Sequence, residues 1–297
     1  MTQPRRVLPG ETVLAQRRCS ERRFFLRPDP LTTQIFLYVL ALAQQRFGIA
    51  IHEFVAMSNH YHLVFTDVCG NRPRFFQLLD SLVARATNAA YGRWEAFWAP
   101  GSYCAPTLLE PEDMLAKCVY TLNNPVLSAL VGRPDRWKGA TSWDMEYGVP
   151  IKVKRPKVFF SEHMPEELEL VITRPPGLFP EVDDVAARAR VRDAAWQSAV
   201  EFERSHRQQG GSFLGMARVL RQPRNSSPDT RAPRRGLKPN IAGRSKWARI
   251  EALQRLKSFV AHYAEALARF LAGDTDAEFP AGTYLMRVRF GAHCVSN

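Results

Sequence analysis

Between residues 31 and 47 apolar side chains fall three or four apart, at Leu31, Ile35, Tyr38, Val39 and Leu42. This spacing predicts an amphipathic helix that Pro30 starts and Gly48 ends. The period then drops to two: IAIHEFVAM (49–57) and HYHLVFTD (60–67) read as strands joined at Ser58-Asn59, a β-hairpin. An earlier strand is expected over TVLAQRRC (12–19), followed by a short basic turn, ERRFFLRPDP. A second helix fits 73–92, where Phe76, Leu79, Leu82, Val83 and Ala86 recur at helical spacing. A strand around Ser102 to Leu108 comes next, then a third helix from Pro111 to about Asn123, with Pro125 expected to stop it. Strands interleaved with helices in this order imply an α+β fold, an antiparallel-containing sheet with helices packed on one face.

Beyond Trp143 the pattern changes. Residues 146–180 are strand-like and proline-rich, with KVKRPK (152–157) and LELVITRPP (168–176) as the clearest pieces. From Glu181 to Gln209 a long charged helix is expected, its stripe of Val185, Ala189, Ala195, Trp196, Ala199 and Phe202 marking a packing face. A short helix over 212–220 precedes a loop rich in Pro, Asn, Ser and Arg (222–240), expected to be mobile. A further helix is expected over 244–272, and FPAGTYLMRVRFGAHC reads as a closing strand. The chain thus divides into 10–145, a connecting segment 146–180, and a mainly helical extension 181–297.

Composition narrows the function. No apolar run approaches the ~20 residues of a membrane span; the richest, Ile35 to Ala43, is about half that length. The amino-terminal residues carry no apolar segment of the kind a secretory signal needs, so cytoplasmic residence is the expectation. The five cysteines are scattered with no CxxC pair, which argues against a disulfide framework and a zinc ribbon. Charge is unevenly placed. Residues 1–150 hold 16 of the 41 Lys and Arg, whereas 218–257 alone hold 12 against only Asp229 and Glu251. Such a block suits a polyanion, because each cation that neutralises a phosphate releases counterions; a solvated linker is the alternative.

Two clusters carry candidate chemistry. In Met57-Ser58-Asn59-His60-Tyr61-His62-Leu63-Val64-Phe65, strand alternation projects His60 and His62 to one side and Tyr61 and Leu63 to the other. Two imidazoles on one face can hold one metal, or they can be ordinary surface histidines. In Lys117-Cys118-Val119-Tyr120-Thr121-Leu122-Asn123-Asn124-Pro125-Val126, helical spacing stacks Lys117, Tyr120 and Asn124 on one face. An ammonium, a hydroxyl and an amide converge there, unless Tyr120 is a core aromatic and Asn124 a helix-end residue.

Taken together, the two clusters resemble HUH-type single-tyrosine transposases, and particularly the REP-associated tyrosine transposases. That family carries a signature close to M-P-N-H-x-H-L-hydrophobic and, later, a helix ending Tyr-x-x-x-Asn-Pro-Val. The resemblance spans about residues 10–145, including the opening strand, the basic turn and Gly139-Ala140-Thr141-Ser142-Trp143. It implies a ferredoxin-like catalytic domain acting on single-stranded DNA, commonly beside a palindromic hairpin. Carried over residue by residue, it implies His60, His62 and Asn124 as ligands of Mg²⁺ or Mn²⁺ and Tyr120 as the nucleophile. A free phenol, with a pKa near ~10, is a poor nucleophile at neutral pH, and a metal that polarises the scissile phosphate remedies this. Attack would leave a 5′-phosphotyrosine and a 3′-hydroxyl. Mixed nitrogen and oxygen ligation suits Mn²⁺, while cellular abundance favours Mg²⁺. Arg17, Arg18, Arg22, Arg23 and Arg27 near the first strand are placed to hold hairpin phosphates, with Lys117 at the scissile phosphate and Phe24 and Phe25 either stacking bases or packing in the core. Two positions depart from the family pattern: Ser58 stands where Pro is usual, and Leu127-Ser128-Ala129-Leu130 replaces an Arg-Ala-Gly-Leu type of ending.

Three readings follow: a metal-dependent DNA endonuclease and strand transferase; a catalytically silent DNA-binding module of the same fold, acting as repressor or structural binder; and a zinc hydrolase drawing a third ligand from His52. The protein is expected to act as a monomer or a homodimer, with no membrane partner.

Overall fold

The computed structural model describes residues 4–101, 103–230 and 240–295. Strand β1 (Glu11–Arg18) leads through the basic turn to helix α1 (Pro30–Phe47), whose first turn is capped by Asp29, its carboxylate accepting from the Thr32 N–H at 3.0 Å. Gly48, with φ 62°, takes the left-handed conformation that ends α1 and turns the chain directly into β2 (Ile49–Ala56). The hairpin to β3 (His60–Asp67) closes at Ser58-Asn59, as the alternation predicts, with the Met57 N–H donating to the His60 carbonyl at 2.8 Å. Next come α2 (Arg72–Ala90), β4 (Thr107–Leu108) and α3 (Pro111–Leu127). The connecting segment forms the hairpin β5 (Ile151–Lys154) and β6 (Glu167–Leu170), and the extension adds α4 (Asp184–Gln208), α5 (Met216–Arg221), β7 (Ile241–Ala242), α6 (Lys246–Leu271) and α7 (Leu285–Phe290).

The main sheet runs β2-β3-β1-β4-β7, antiparallel except for the β4–β7 pair. The α+β class and the antiparallel-containing sheet are therefore as expected. Strand alternation gives this sheet two buried faces. Val13, Ala15, Tyr61, Leu63 and Phe65 pack with α1 and α2, which share one face. Leu14 and Val64, the residues between them, pack on the opposite face with Met114, Cys118 and Leu122 of α3 and Val191 and Ala195 of α4. The tyrosine-bearing helix thus lies across the sheet from α1 and α2, so helices cover both faces and not the one face expected.

Two local expectations are corrected. Helix α3 does not stop before Pro125 but carries it and runs on to Leu127. The proline removes one N–H donor, yet the Ser128 N–H still closes on the Asn124 carbonyl at 3.0 Å and the Pro125 carbonyl accepts from Leu130 at 3.0 Å, so the last turn holds. The closing segment is not a strand. Phe279 and Cys294 form one bridge and Thr283 another, with Arg6; the described residues from Leu285 to Phe290 pair with no strand, and their backbone satisfies itself in α7, which Gly291 ends. The expected mobile loop 222–240 falls partly outside the described residues (231–239), and the described part, 222–230, is laid along the basic turn: the Phe24 N–H donates to Ser226 at 3.0 Å and Arg224 stacks on Tyr91. Among the described residues, no helix is long and apolar enough to cross a membrane.

Candidate active site

The site is built where β3 passes under α3. Tyr61 points away from it, fully buried, and its hydroxyl donates to Asp80 of α2 at 2.7 Å. Its neighbours His60 and His62 therefore share the α3 face, with ring centres 4.8 Å apart at nearly right angles. Tyr120 of α3 meets them edge-on, its ring centre 5.2 Å from that of His62, and the Lys117 Nζ lies 5.7 Å from the tyrosine ring centre. Tyr120 is 38% exposed whereas His62 is 2% exposed, so a surface tyrosine stands over a buried imidazole. Asn124 is buried one helical turn beyond Tyr120.

His62 is the unusual group. Both ring nitrogens are buried without a hydrogen-bond partner, a state native structures rarely leave unexplained. Burial, reinforced by the neighbouring basic groups His60 and Lys117, holds its pKa well below the ordinary histidine value, so the ring is neutral with a lone pair to offer. His60 is oriented from behind: its Nδ1 lies 2.6 Å from the Asn59 Oδ1, which as an acceptor places a proton on Nδ1. Asn59 in turn donates from Nδ2 to the Arg22 carbonyl at 3.2 Å, and the Ser58 carbonyl accepts from Leu26 at 2.9 Å. The basic turn thereby fixes the hairpin tip, although Ser58 lacks the rigidity of proline.

This donor set fits a divalent cation held by two imidazoles and an amide oxygen. Among the described residues, no group of three His, Cys, Asp or Glu could hold a metal. The zinc reading also loses its third ligand. His52 is committed elsewhere, Nδ1 lying 2.8 Å from the Thr173 carbonyl and Nε2 2.8 Å from the Thr66 hydroxyl, and burial pushes its pKa down to about 4.

The arginines divide. Arg17 lies on the wrong side of β1 for the site, beside Asp80 at 3.6 Å and over Trp98, and donates to the Gly101 carbonyl at 2.8 Å; it serves the fold. Arg18, the next residue, falls on the histidine side and pairs across the ladder with His60. Arg22 and Arg23 are half-buried on the turn, where they hold the 222–230 segment through Thr230 and Asn225, and Arg23 also pairs with Glu21 at 2.8 Å. Phe24 and Phe25 are buried, so they pack rather than offer a stacking surface.

Sequence reasoning missed the residues that brace α3 from behind. Asn123 donates from Nδ2 to the Ala195 carbonyl of α4 at 2.7 Å. Arg188 of α4, fully buried, pairs with the equally buried Glu53 of β2, which also accepts from Ser142 at 2.5 Å and Tyr147 at 3.1 Å. An arginine on a helix gives no local sign that it will bury a charge 135 residues away.

No family model and no curated protein matches the chain. Among solved structures it is similar to a REP-associated tyrosine transposase bound to a REP hairpin, at 16% identity over 48% of this chain and 82% of that one, with a TM-score of 0.41. It is also similar to a Deinococcus radiodurans R1 protein assigned as a transposase, at 17% identity over 35% of this chain and 84% of that one, with a TM-score of 0.28.

Proposed function

We propose that the chain is a metal-dependent single-stranded DNA endonuclease and strand transferase that acts through Tyr120 beside hairpin DNA. The observation that carries this reading is the buried, unpartnered His62 in edge contact with the exposed Tyr120. An imidazole pair under a surface tyrosine is the arrangement that a metal-assisted tyrosine nucleophile needs. His60, His62 and Asn124 would hold Mg²⁺ or Mn²⁺, which when bound supplies Lewis-acid polarisation of the scissile phosphate.

The chain's own groups do the rest. The Tyr120 oxygen bonds to phosphorus as the bond to the 3′-oxygen breaks; the phenolic proton leaves, and the 3′-oxygen takes one up. The product is a 5′-phosphotyrosine with a free 3′-hydroxyl, and because the phosphodiester energy is retained the strand can be rejoined. Lys117 stands beside the ring to receive the phosphate's charge, and Arg18, Arg22 and Arg23 offer cations to the flanking backbone.

The test is incubation of the protein with labelled hairpin-bearing single-stranded DNA in Mn²⁺ or EDTA, resolved on a denaturing gel. A metal-dependent, protease-sensitive adduct that Tyr120→Phe abolishes supports the reading. DNA binding with no adduct in either condition transfers the protein to the silent binding module.

A further inference from the structure

Strand β1 brings two side chains to the histidine face. Leu14 packs there with Val64 and α3, so Gln16 and Arg18 share its side, and the ladder sets Gln16 opposite His62 and Arg18 opposite His60. The backbone of Gln16 is turned the other way: its N–H donates to the Cys104 carbonyl at 2.8 Å, and its carbonyl accepts from the Cys104 N–H at 3.1 Å. Gln16 and His62 are therefore a non-hydrogen-bonded pair of the antiparallel ladder, the kind whose Cα atoms lie about 4.5 Å apart and whose side chains come closest.

Neither side chain uses that proximity. Both His62 nitrogens lack a partner, and the half-buried Gln16 amide makes no hydrogen bond to any described residue. Two adjacent polar groups that ignore each other are both satisfied by one shared partner. Hard divalent cations take six or more ligands, oxygen above all, and among the described residues no carboxylate joins His60 and His62 in a group that could hold a metal. An amide oxygen supplies what is missing while leaving the ion's full charge to act on a phosphate.

We propose that Gln16 is a further oxygen ligand of the divalent cation, approaching from β1 while Asn124 approaches from α3. This rests on the metal site proposed at His60, His62 and Asn124. The test is Mn²⁺ affinity of the intact, DNA-free protein, read from the electron paramagnetic resonance of free Mn²⁺, with the melting temperature in EDTA as the fold control. Gln16→Ala is expected to weaken Mn²⁺ binding at least about tenfold, by comparison with the loss that even outer-shell substitutions cause. Gln16→Glu, which adds a charge to the same oxygen, is expected to tighten it. A Gln16→Ala protein that binds Mn²⁺ like the wild type, while His62→Ala does not, overturns the role of Gln16 alone. Unchanged Mn²⁺ affinity with weakened DNA binding in EDTA also overturns it, assigning the amide to a phosphate oxygen. Wild-type protein that takes up no Mn²⁺ overturns the underlying metal site as well.

Discussion

Replacing Arg188 by Met strips the buried support from beneath the tyrosine helix. Arg188 is fully buried and donates to the carbonyls of Met145 at 2.8 Å, Ser142 at 2.6 Å and Trp143 at 3.2 Å, besides pairing with Glu53. Methionine fills much of the volume but leaves the Ser142 carbonyl without its donor and Glu53 without its counter-charge, while Arg192 still reaches the Met145 and Trp143 carbonyls and Ser142 and Tyr147 still donate to Glu53. Breaking a buried pair by removing one partner costs about 3–5 kcal/mol. Glu53 has a partial escape, because burial already pushes its pKa up against the donors that hold it down, and protonation in the variant keeps the loss near the lower bound. A loss of about 3 kcal/mol is a large share of a typical stability of about 5–15 kcal/mol. In urea unfolding followed by circular dichroism, with a slope of about 3 kcal/mol/M, the midpoint should fall by about 1 M. Adding Glu53→Gln to the Arg188→Met protein removes the stranded charge, so the double variant should lose about 2 kcal/mol less than the sum of the two single losses. A loss below about 1 kcal/mol for Arg188→Met, or simple additivity of the pair, would refute the reasoning.

Three further outcomes are expected. His52 has its pKa lowered to about 4, so the unfolded chain binds its proton first; its contribution to stability is complete above pH ~6.5 and is lost as pH falls toward 4. Thermal unfolding between pH 7 and 4 should therefore show a shallower decline for His52→Gln than for the wild type, and parallel declines would contradict this. Arg18→Ala should weaken single-stranded DNA binding and lower the slope of log affinity against log salt by about 0.7, whereas Arg17→Ala should leave that slope alone and lower the melting temperature, because Asp80 loses its counter-charge and keeps only the Tyr61 hydroxyl. Asn123→Ala frees the Ala195 carbonyl from α3 and should cost about 1 kcal/mol or more in urea unfolding, an unchanged midpoint being the contrary result.

Local signals made much of this fold legible. Pro30, Gly48 and Pro111 mark the helix ends seen in the structure, and the two-residue turn at Ser58-Asn59 fixes the hairpin. Once that hairpin is fixed, period two puts His60 and His62 on one face. The face taken by α3 was not legible, because Val13, Leu14 and Ala15 are all apolar and an uninterrupted run carries no sidedness. The division between Arg17 and Arg18 depends on which edge of β1 pairs with β3, a tertiary fact. Gln16 escaped notice for the same reason, since its relation to His62 exists only through the register of the ladder. The alternation in LMRVRF suggested a strand, but six residues with no neighbouring edge fold back into a helical turn.

The polarity of the covalent adduct tests the central claim most directly. The same hairpin-bearing strand is labelled at its 3′ end in one sample and its 5′ end in another, and each is incubated with the protein and Mn²⁺. Attack by Tyr120 through a 5′-phosphotyrosine predicts that the 3′ label moves with the protein while the 5′ label is released as a shorter fragment ending in a 3′-hydroxyl, and that Tyr120→Phe abolishes both. Label retained from the 5′ end, or cleavage that persists in Tyr120→Phe with no adduct, would contradict the account.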